Sequence, residues 1–280
     1  MDFLALLKAE RAAARGCAGE EQQCLAAVAV AKLAVAPAKL PASLVLSPLH
    51  LLPNLHLTDL VVGGGVQYAQ EVISRETEAA LFSVVCSDAS YTELSSRLVQ
   101  AYGTQPGAGP DTLLPSWLDT LGQDLANLGV FGADSDTGGT ALRVPNNVLI
   151  NQYVPPRGGI LHHTDGPAYC PTVAILSLGG PCVLSFKRRL LPSEIGSPDA
   201  DHGEACSVLL QPRSLLRFTG EYYIGHTHGI APDVSQDVLT DTCVNASMAG
   251  AAAGQRVERG RRVSLTFRIV PPASKVIIVA

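Results

Sequence analysis

Four groups of residues in this sequence have types and spacings that could do chemistry together. The first is His163-Thr164-Asp165. In an extended strand residues i and i+2 point to one face, so an imidazole and a carboxylate would converge there. A second histidine from another strand would complete two histidines and one carboxylate on one side of a metal. That set leaves positions open for oxygen and a co-substrate, as in non-haem Fe(II) sites. A plain turn before Gly166-Pro167 accounts for the same residues without a metal. The second group is His226-Thr227-His228. Both histidines share a face if the stretch is extended, and spacing alone does not choose between them. A pair of surface histidines at a loop end is the simpler account. His162 should point to the strand face opposite His163 and is set aside.

The third group is Arg262-Val-Ser-Leu-Thr-Phe-Arg268, which alternates strictly. Arg262, Ser264, Thr266 and Arg268 fall on one face, and Val263, Leu265, Phe267 and Ile269 on the other. A polar face of this kind ordinarily meets water. If it instead lines an interior, the two arginines need anions, and a dicarboxylate held by paired charge-assisted hydrogen bonds would supply them. The fourth group is Asn151-Gln-Tyr153, an amide and a phenol on one strand face, suited to hydrogen-bonding co-substrate oxygens.

These residues need strands to hold them, and the sequence supplies candidates. Short apolar runs separated by Gly, Pro and Asp cover Val148 to Val154, Thr172 to Leu178, Cys182 to Lys187, Ser207 to Leu210, Ser214 to Phe218 and Val263 to Val270. Gln211-Pro-Arg213 reads as a tight connection. A first strand is expected over Val61 to Val72, around Gly63 to Gly65. Ser74-Arg-Glu-Thr-Glu78 marks a helix start, with Ser74 accepting backbone donors and Glu76 and Glu78 at the positive end. A second helix is expected over about Pro115 to Leu128, with Trp117 on its apolar side. Residues 1–36 read as two Ala-rich helical stretches, followed by a linker broken by Pro37, Pro41, Pro48 and Pro53. Leu191 to Glu204 and the Ala-, Ser- and Thr-rich Asp233 to Gly254 look like insertions, the latter as an exposed loop. Closely spaced strands with helices upstream suggest an α+β fold, a β-barrel or jelly-roll core with an N-terminal helical layer.

The bulk composition sets limits. The chain has 280 residues, 47% hydrophobic and 16% charged, as in a packed protein. Its formal net charge of -5 gives no global drive toward nucleic acid. Local basic runs do occur, at Lys187-Arg-Arg189 and at Arg256, Arg259, Arg261 and Arg262, although such runs are more often solvated faces. Seven widely spaced cysteines without a CxxC pair argue for reduced thiols rather than a disulfide framework. Leu25 to Ala36 is too short for a membrane span, carries Lys32 and stops at Pro37. An intracellular protein, in cytoplasm or nucleus and a monomer, is expected; organelle targeting stays open, because Lys8, Arg11 and Arg15 punctuate an amphipathic start.

The order Asn-x-Tyr, His-x-Asp, late His and Arg-x5-Arg resembles the AlkB family of 2-oxoglutarate- and Fe(II)-dependent dioxygenases. The string Asn147-Val-Leu-Ile-Asn-Gln-Tyr153, followed by Gly159-Ile-Leu-His-His-Thr-Asp-Gly-Pro-Ala-Tyr169, is similar to one branch, AlkB homologue six. Tyr91 to Arg97, Leu114 to Leu118, Val130 to Gly132, Gln211 to Leu216 and His228-Gly-Ile230 extend the likeness over about Tyr68 to Pro271. The resemblance implies a double-stranded β-helix (jelly-roll) over 61–280, with 1–60 as an N-terminal extension. It implies Fe(II), 2-oxoglutarate and O2, with His163, Asp165 and His228 on the metal and His228 preferred to His226 through its Gly229-Ile230 context. Arg262 would hold the far carboxylate of 2-oxoglutarate, Arg268 the metal-proximal end near Asp165, and Asn151 and Tyr153 further co-substrate atoms. It further implies oxidative demethylation of modified DNA or RNA. Tyr91, Arg97 and Tyr169 are expected to roof the pocket, where a flipped base could stack. A hydroxylase of protein or small molecule, and a silent β-barrel scaffold, are the rival readings.

Overall fold

The short apolar runs are realised as strands of two antiparallel sheets facing one another. The computed structural model describes residues 51–53, 55–87, 90–107, 112–133, 141–156, 158–190 and 203–272. The expected Ala-rich helices of residues 1–36 and most of the 191–204 insertion lie outside the described residues. The larger sheet has eight strands, in the order β1 (Thr58–Asp59), β2 (Val66–Ala69), β10 (Leu215–Thr219), β7 (Thr172–Gly179), β14 (Arg262–Arg268), β5 (Asn147–Tyr153), β4 (Leu98–Gly103) and β3 (Thr92–Glu93). The smaller has four, in the order β6 (Ile160–His163), β11 (His226–Ile230), β8 (Cys182–Arg188) and β9 (Glu204–Leu210). A separate pair joins β12 (Gln236–Val238) to β13 (Arg256–Glu258).

Period-two alternation sorts each strand of the larger sheet between two cores. Val148 and Ile150 of β5 and Val263, Leu265 and Phe267 of β14 face two helices, α1 (Arg75–Ser87) and α2 (Ser116–Asn127). Those helices bury Leu81, Val85, Trp117, Leu118, Leu121 and Leu125 against them. The opposite face of the same sheet meets Leu184, Phe186 and Val208 of the smaller sheet. The polar face of β14 is therefore interior, and all seven of its residues are buried.

Helix α1 starts as expected, with the Thr77 amide donating to Ser74 Oγ at 3.1 Å. Glu78 is also a tertiary anchor, accepting from the Gly179 amide at 2.9 Å and from Arg213 at 2.7 Å. Arg213 sits in the tight Gln211–Arg213 connection at φ 61°. The first strand is shorter than expected. Gly63, Gly64 and Gly65 have φ of 85°, 76° and 97°, so Val61 to Gly65 is a turn and pairing begins at Val66. The folded body also begins before residue 61. Leu51 is buried in the helix-side core, and its amide donates to Asp124 at 2.8 Å.

The Asp233 to Gly254 stretch is exposed over much of its length, as its composition suggests, but it is anchored through the buried Asp237, Leu239, Cys243 and Asn245. Its small side chains allow close approach to β9, an edge strand of the smaller sheet. Asn245 both accepts from the Leu209 amide at 2.8 Å and donates to the Leu209 carbonyl at 2.9 Å, pairing the edge as another strand would. Leu209, Leu239 and Cys243 close a small apolar cluster beneath it. Asp237 and Arg259 form a buried ion pair at 2.5 Å, and Asp237 accepts from the Val183 amide at 3.0 Å. Arg259 also donates to the carbonyls of Gly158 and Ala231, at 2.9 and 2.6 Å. Removing one member of such a pair strands a buried charge, so Asp237→Ala should cost about 3–5 kcal/mol in urea unfolding. Asp241→Ala, exposed in the same segment, should change the midpoint little. Equal, small effects would mean that the segment does not pack as described.

Candidate metal centre

Strand pairing brings the two histidine motifs together. His228 of β11 lies directly opposite His163 of β6, with ring centroids 4.4 Å apart. The two residues are 65 positions apart in sequence, and only the antiparallel register unites them. Gly229 permits it, because a Cβ there would meet the His162 backbone nitrogen and the Ile160 carbonyl, each at 3.0 Å. Asp165, just past the end of β6, brings Oδ2 to 3.6 Å from His228 Nε2. Its Oδ1 accepts from Arg268 Nη1 at 2.7 Å across the gap between the sheets. Tyr223, in the single-turn helix α3 (Glu221–Ile224), donates to the Gly166 carbonyl at 2.7 Å and pins the turn that follows Asp165.

The electrostatics suit neutral metal donors. Burial first, and then the neighbouring His228, holds the His163 imidazole well below its ordinary pKa. His228 is lowered by burial too, partly offset by Asp165. His163 Nδ1 lies 2.9 Å from the Leu161 carbonyl, which can only accept, so Nδ1 carries the proton and Nε2 keeps its lone pair. Asp165 Oδ2 is buried and has no hydrogen-bond partner. A cation between the two imidazoles and this oxygen would satisfy all three. The donors form an open cluster: among the described residues, no three His, Cys, Asp or Glu side chains already stand at metal-binding distances.

The other histidine of each motif, His162 and His226, lies outside the cluster. His162 points the other way, to Ser185 Oγ at 3.0 Å and Thr227 Oγ1 at 3.3 Å, and burial followed by Lys187 lowers its pKa to about 4. His226 lies further out along β11, stacked on Tyr222 and apart from Asp165.

Beside the cluster, β14 and β5 present the remaining predicted residues. Arg262 is opposite Tyr153, and Ser264 opposite Asn151. Arg262 Nη2 donates to Ser177 Oγ at 2.9 Å, and its guanidinium carbon lies 5.2 Å from the Tyr153 ring centre. Arg262 Nε and Nη1 are buried without hydrogen-bond partners, and no acidic group pairs with Arg262 among the described residues. Arg268 lies over the Tyr169 ring at 4.1 Å; burial would lower its pKa, but Tyr169 and Asp165 more than offset that. The space beside Tyr153 and Arg262 is only about 10 Å3, too small for a dicarboxylate, so a ligand there must displace side chains. A larger cavity of about 350 Å3 lies against Gln67, Val130 and Arg217, away from this chemistry.

The three residues expected over the pocket are not brought together. Tyr91 packs against the helix-side core, on the far side of the larger sheet. Arg97 and Tyr169 are buried inside, Arg97 Nε donating to Asn151 Oδ1 at 3.0 Å. Proximity in a motif does not report which sheet face a residue takes. The second basic cluster also dissolves, since Arg259 and Arg262 are buried while Arg256 and Arg261 are exposed. Ser177, Tyr223 and the inter-sheet rings Phe186 and Phe218 were not singled out from sequence. Only strand pairing makes them neighbours of His228 and Arg262.

Comparison with known proteins agrees with this geometry. The family model of the 2OG-Fe(II) oxygenase superfamily matches residues 65–268. The chain is 36% identical over 213 residues to a Danio rerio protein named probable RNA/DNA demethylase ALKBH6, covering 74% of this chain and 86% of that one. It is 28% identical over 231 residues to the Macaca fascicularis tRNA (carboxymethyluridine(34)-5-O)-methyltransferase ALKBH8, covering 74% of this chain but 30% of that one. Among solved structures, that of OsALKBH1 is matched over 76% of this chain and 100% of that chain, at 14% identity and a TM-score of 0.48. The matched span contains every strand of the two facing sheets except β1. The chain belongs to the 2OG-Fe(II) oxygenase superfamily, as an AlkB-type dioxygenase dependent on Fe(II), 2-oxoglutarate and O2.

Proposed function

We propose that this protein removes N-methyl groups oxidatively from a modified nucleic acid, with His163, Asp165 and His228 as the iron ligands. The observation that carries the assignment is a pair of opposite demands 97 residues apart in sequence: a buried Asp165 oxygen without a hydrogen-bond partner, the other oxygen being held by Arg268, and buried guanidinium donors without hydrogen-bond partners at Arg262. A cation answers the first and a carboxylate the second. The nucleic-acid substrate rests on the similarity to the protein named probable RNA/DNA demethylase.

Iron, when bound with 2-oxoglutarate and O2, would supply the oxidising power, the diacid ending as succinate and carbon dioxide and the hydroxylated methyl group leaving as formaldehyde. The chain's own residues have simpler tasks. His163 and His228 offer neutral nitrogen lone pairs, and Asp165 a charged oxygen. Arg268 keeps the other Asp165 oxygen fixed and turns the carboxylate toward the histidines. Arg262 receives the far carboxylate, with Ser177 orienting the guanidinium from behind. Asn151 and Tyr153 line the same wall, where burial raises the Tyr153 phenol and keeps it protonated as a donor. Phe186 and Phe218 exclude water around His228.

Metal and co-substrate binding separate these roles. Titration with Co(II), followed by its visible absorption, should show tight binding that is lost in His163→Ala and Asp165→Ala. Arg262→Ala should keep the metal and weaken 2-oxoglutarate binding by about tenfold or more for each charge-assisted bond lost. Succinate and formaldehyde should form together when iron-loaded protein meets a methylated oligonucleotide. Retention of metal by both ligand variants would sink the assignment. Succinate without formaldehyde from any methylated strand would favour a protein or small-molecule substrate.

A further inference from the structure

The β11 strand carries a second feature on the face that holds His228. Two residues outward, about 7 Å along the strand, His226 stacks on Tyr222 with ring centroids 4.5 Å apart and planes 14° apart. Tyr222 also meets Phe186 edge-on at 5.4 Å, and Phe186 in turn lies 6.1 Å from His228. An aromatic path thus runs from the metal cluster to the rim. Both outer rings are half-buried, so the pair is partly open to solvent. The Glu221 carbonyl, 3.1 Å from His226 Nδ1, fixes the imidazole edge.

Cross-strand register adds charge to this platform. Arg188 of β8 lies directly opposite His226, whereas Lys187 lies opposite Thr227 on the outer face with His162. Period two therefore splits the basic run, and only Arg188 shares the rim with the stacked rings. Arg189 follows, its amide donating to the Gly225 carbonyl at 2.8 Å, which ties the end of β8 to the turn carrying Tyr222. Both arginines are exposed. Nothing in the metal or co-substrate chemistry uses Tyr222, His226 or Arg188.

We propose that Tyr222, His226 and Arg188 form a subsite for single-stranded nucleic acid, stacking a base next to the modified one and contacting its phosphate. The proposal rests on the nucleic-acid reading above and extends it to named residues. Flat π-faces beside a guanidinium are the combination that holds a single strand without reading its sequence, through stacking and phosphate charge. A base reaching the metal between the sheets must leave its neighbours at the rim, one strand-step from His228. Among the described residues, the Glu221 carboxylate lies 3.9 Å from His226 Nδ1, and Glu204 stands opposite Lys187 at the start of β9.

The test is fluorescence anisotropy of short labelled single-stranded DNA and RNA with the full metal-loaded chain, over a series of salt concentrations. Tyr222→Leu should weaken binding about tenfold or more, while Tyr222→Phe, which keeps the ring, should bind nearly as the parent does. Arg188→Ala, at an exposed position, should lower the slope of log affinity against log salt by about 0.7. Parent protein that binds either strand, with Tyr222→Leu and Arg188→Ala binding equally well at unchanged slope, would overturn the subsite and leave the nucleic-acid reading standing. Parent protein that binds neither strand would overturn both. Equal weakening by Tyr222→Leu and Tyr222→Phe would also overturn stacking, since the ring survives in the second. Preference for RNA over DNA would identify which strand the rim receives.

Discussion

Burial of ions between two apolar sheets is the constraint on which this structure turns. Asp165, Arg262 and Arg268 are each at most 5% exposed, and they sit among Phe186, Phe218, Val208 and Leu184. An ion in such surroundings costs several kcal/mol unless a neighbour compensates it. Arg268 and Asp165 compensate one another at 2.7 Å, and the Tyr169 ring covers the guanidinium. That pair leaves one Asp165 oxygen and two Arg262 nitrogens without hydrogen-bond partners. Between the two sheets these groups leave an unmet acceptor at Asp165 and unmet donors at Arg262. A metal and a diacid meet those needs with opposite charges, which is why neither position could be filled by water alone without loss.

Such a line is useful only if it does not move, and the sheet topology supplies the stiffness. β14 lies inside the larger sheet, paired along its length with β5 and β7. β11 lies inside the smaller one, between β6 and β8. Arg262, Arg268 and His228 therefore stand on strands paired on both sides, where a side chain is held more accurately than on a loop. Asp165 is the exception, since it follows β6 in a turn. Its position is recovered by Arg268 on one side and by the Tyr223 bond to Gly166 on the other. The Asp233 to Gly254 insertion supports the same region from outside. Its Asp237 holds Arg259, whose bonds to Gly158 and Ala231 gather the chain ends next to Arg262.

Much of this was legible in the sequence, and the parts that were not have physical reasons. The alternation of β14 and β5 fixed which residues share a face, and the i, i+2 rule separated His162 from His163. Alternation could not say whether the polar face of β14 looked inward, because a solvated strand has the same pattern. Here both faces are buried, so the motif order rather than hydrophobicity carried that conclusion. His226 and His228 were equivalent by spacing; register distinguishes them, because only His228 falls opposite His163. Tyr91, Arg97 and Tyr169 lie in stretches that could roof the pocket, but sequence does not report which side of the large sheet each takes, and Tyr91 packs on the helix side. Composition shows the exposure of the Ala- and Ser-rich insertion but not its anchors. Low complexity signals exposure on average, yet small side chains also allow the close contact with β9 that Asn245 makes.

The same register argument bears on how substrate choice could change without touching the chemistry. Along the inner face of β11, His228 belongs to the buried line of ions, whereas His226 is already at the rim with Tyr222 and Arg188. Substitution at His228 alters a group whose partners are Asp165 and His163. Substitution at His226 alters one whose partners are an aromatic ring and a turn carbonyl. The energetic penalties differ accordingly, since the first disturbs buried charge and the second a half-solvated stack. One strand therefore carries buried charge at its inner end and a half-solvated stack at its outer end, one pleat repeat apart and on different energetic terms.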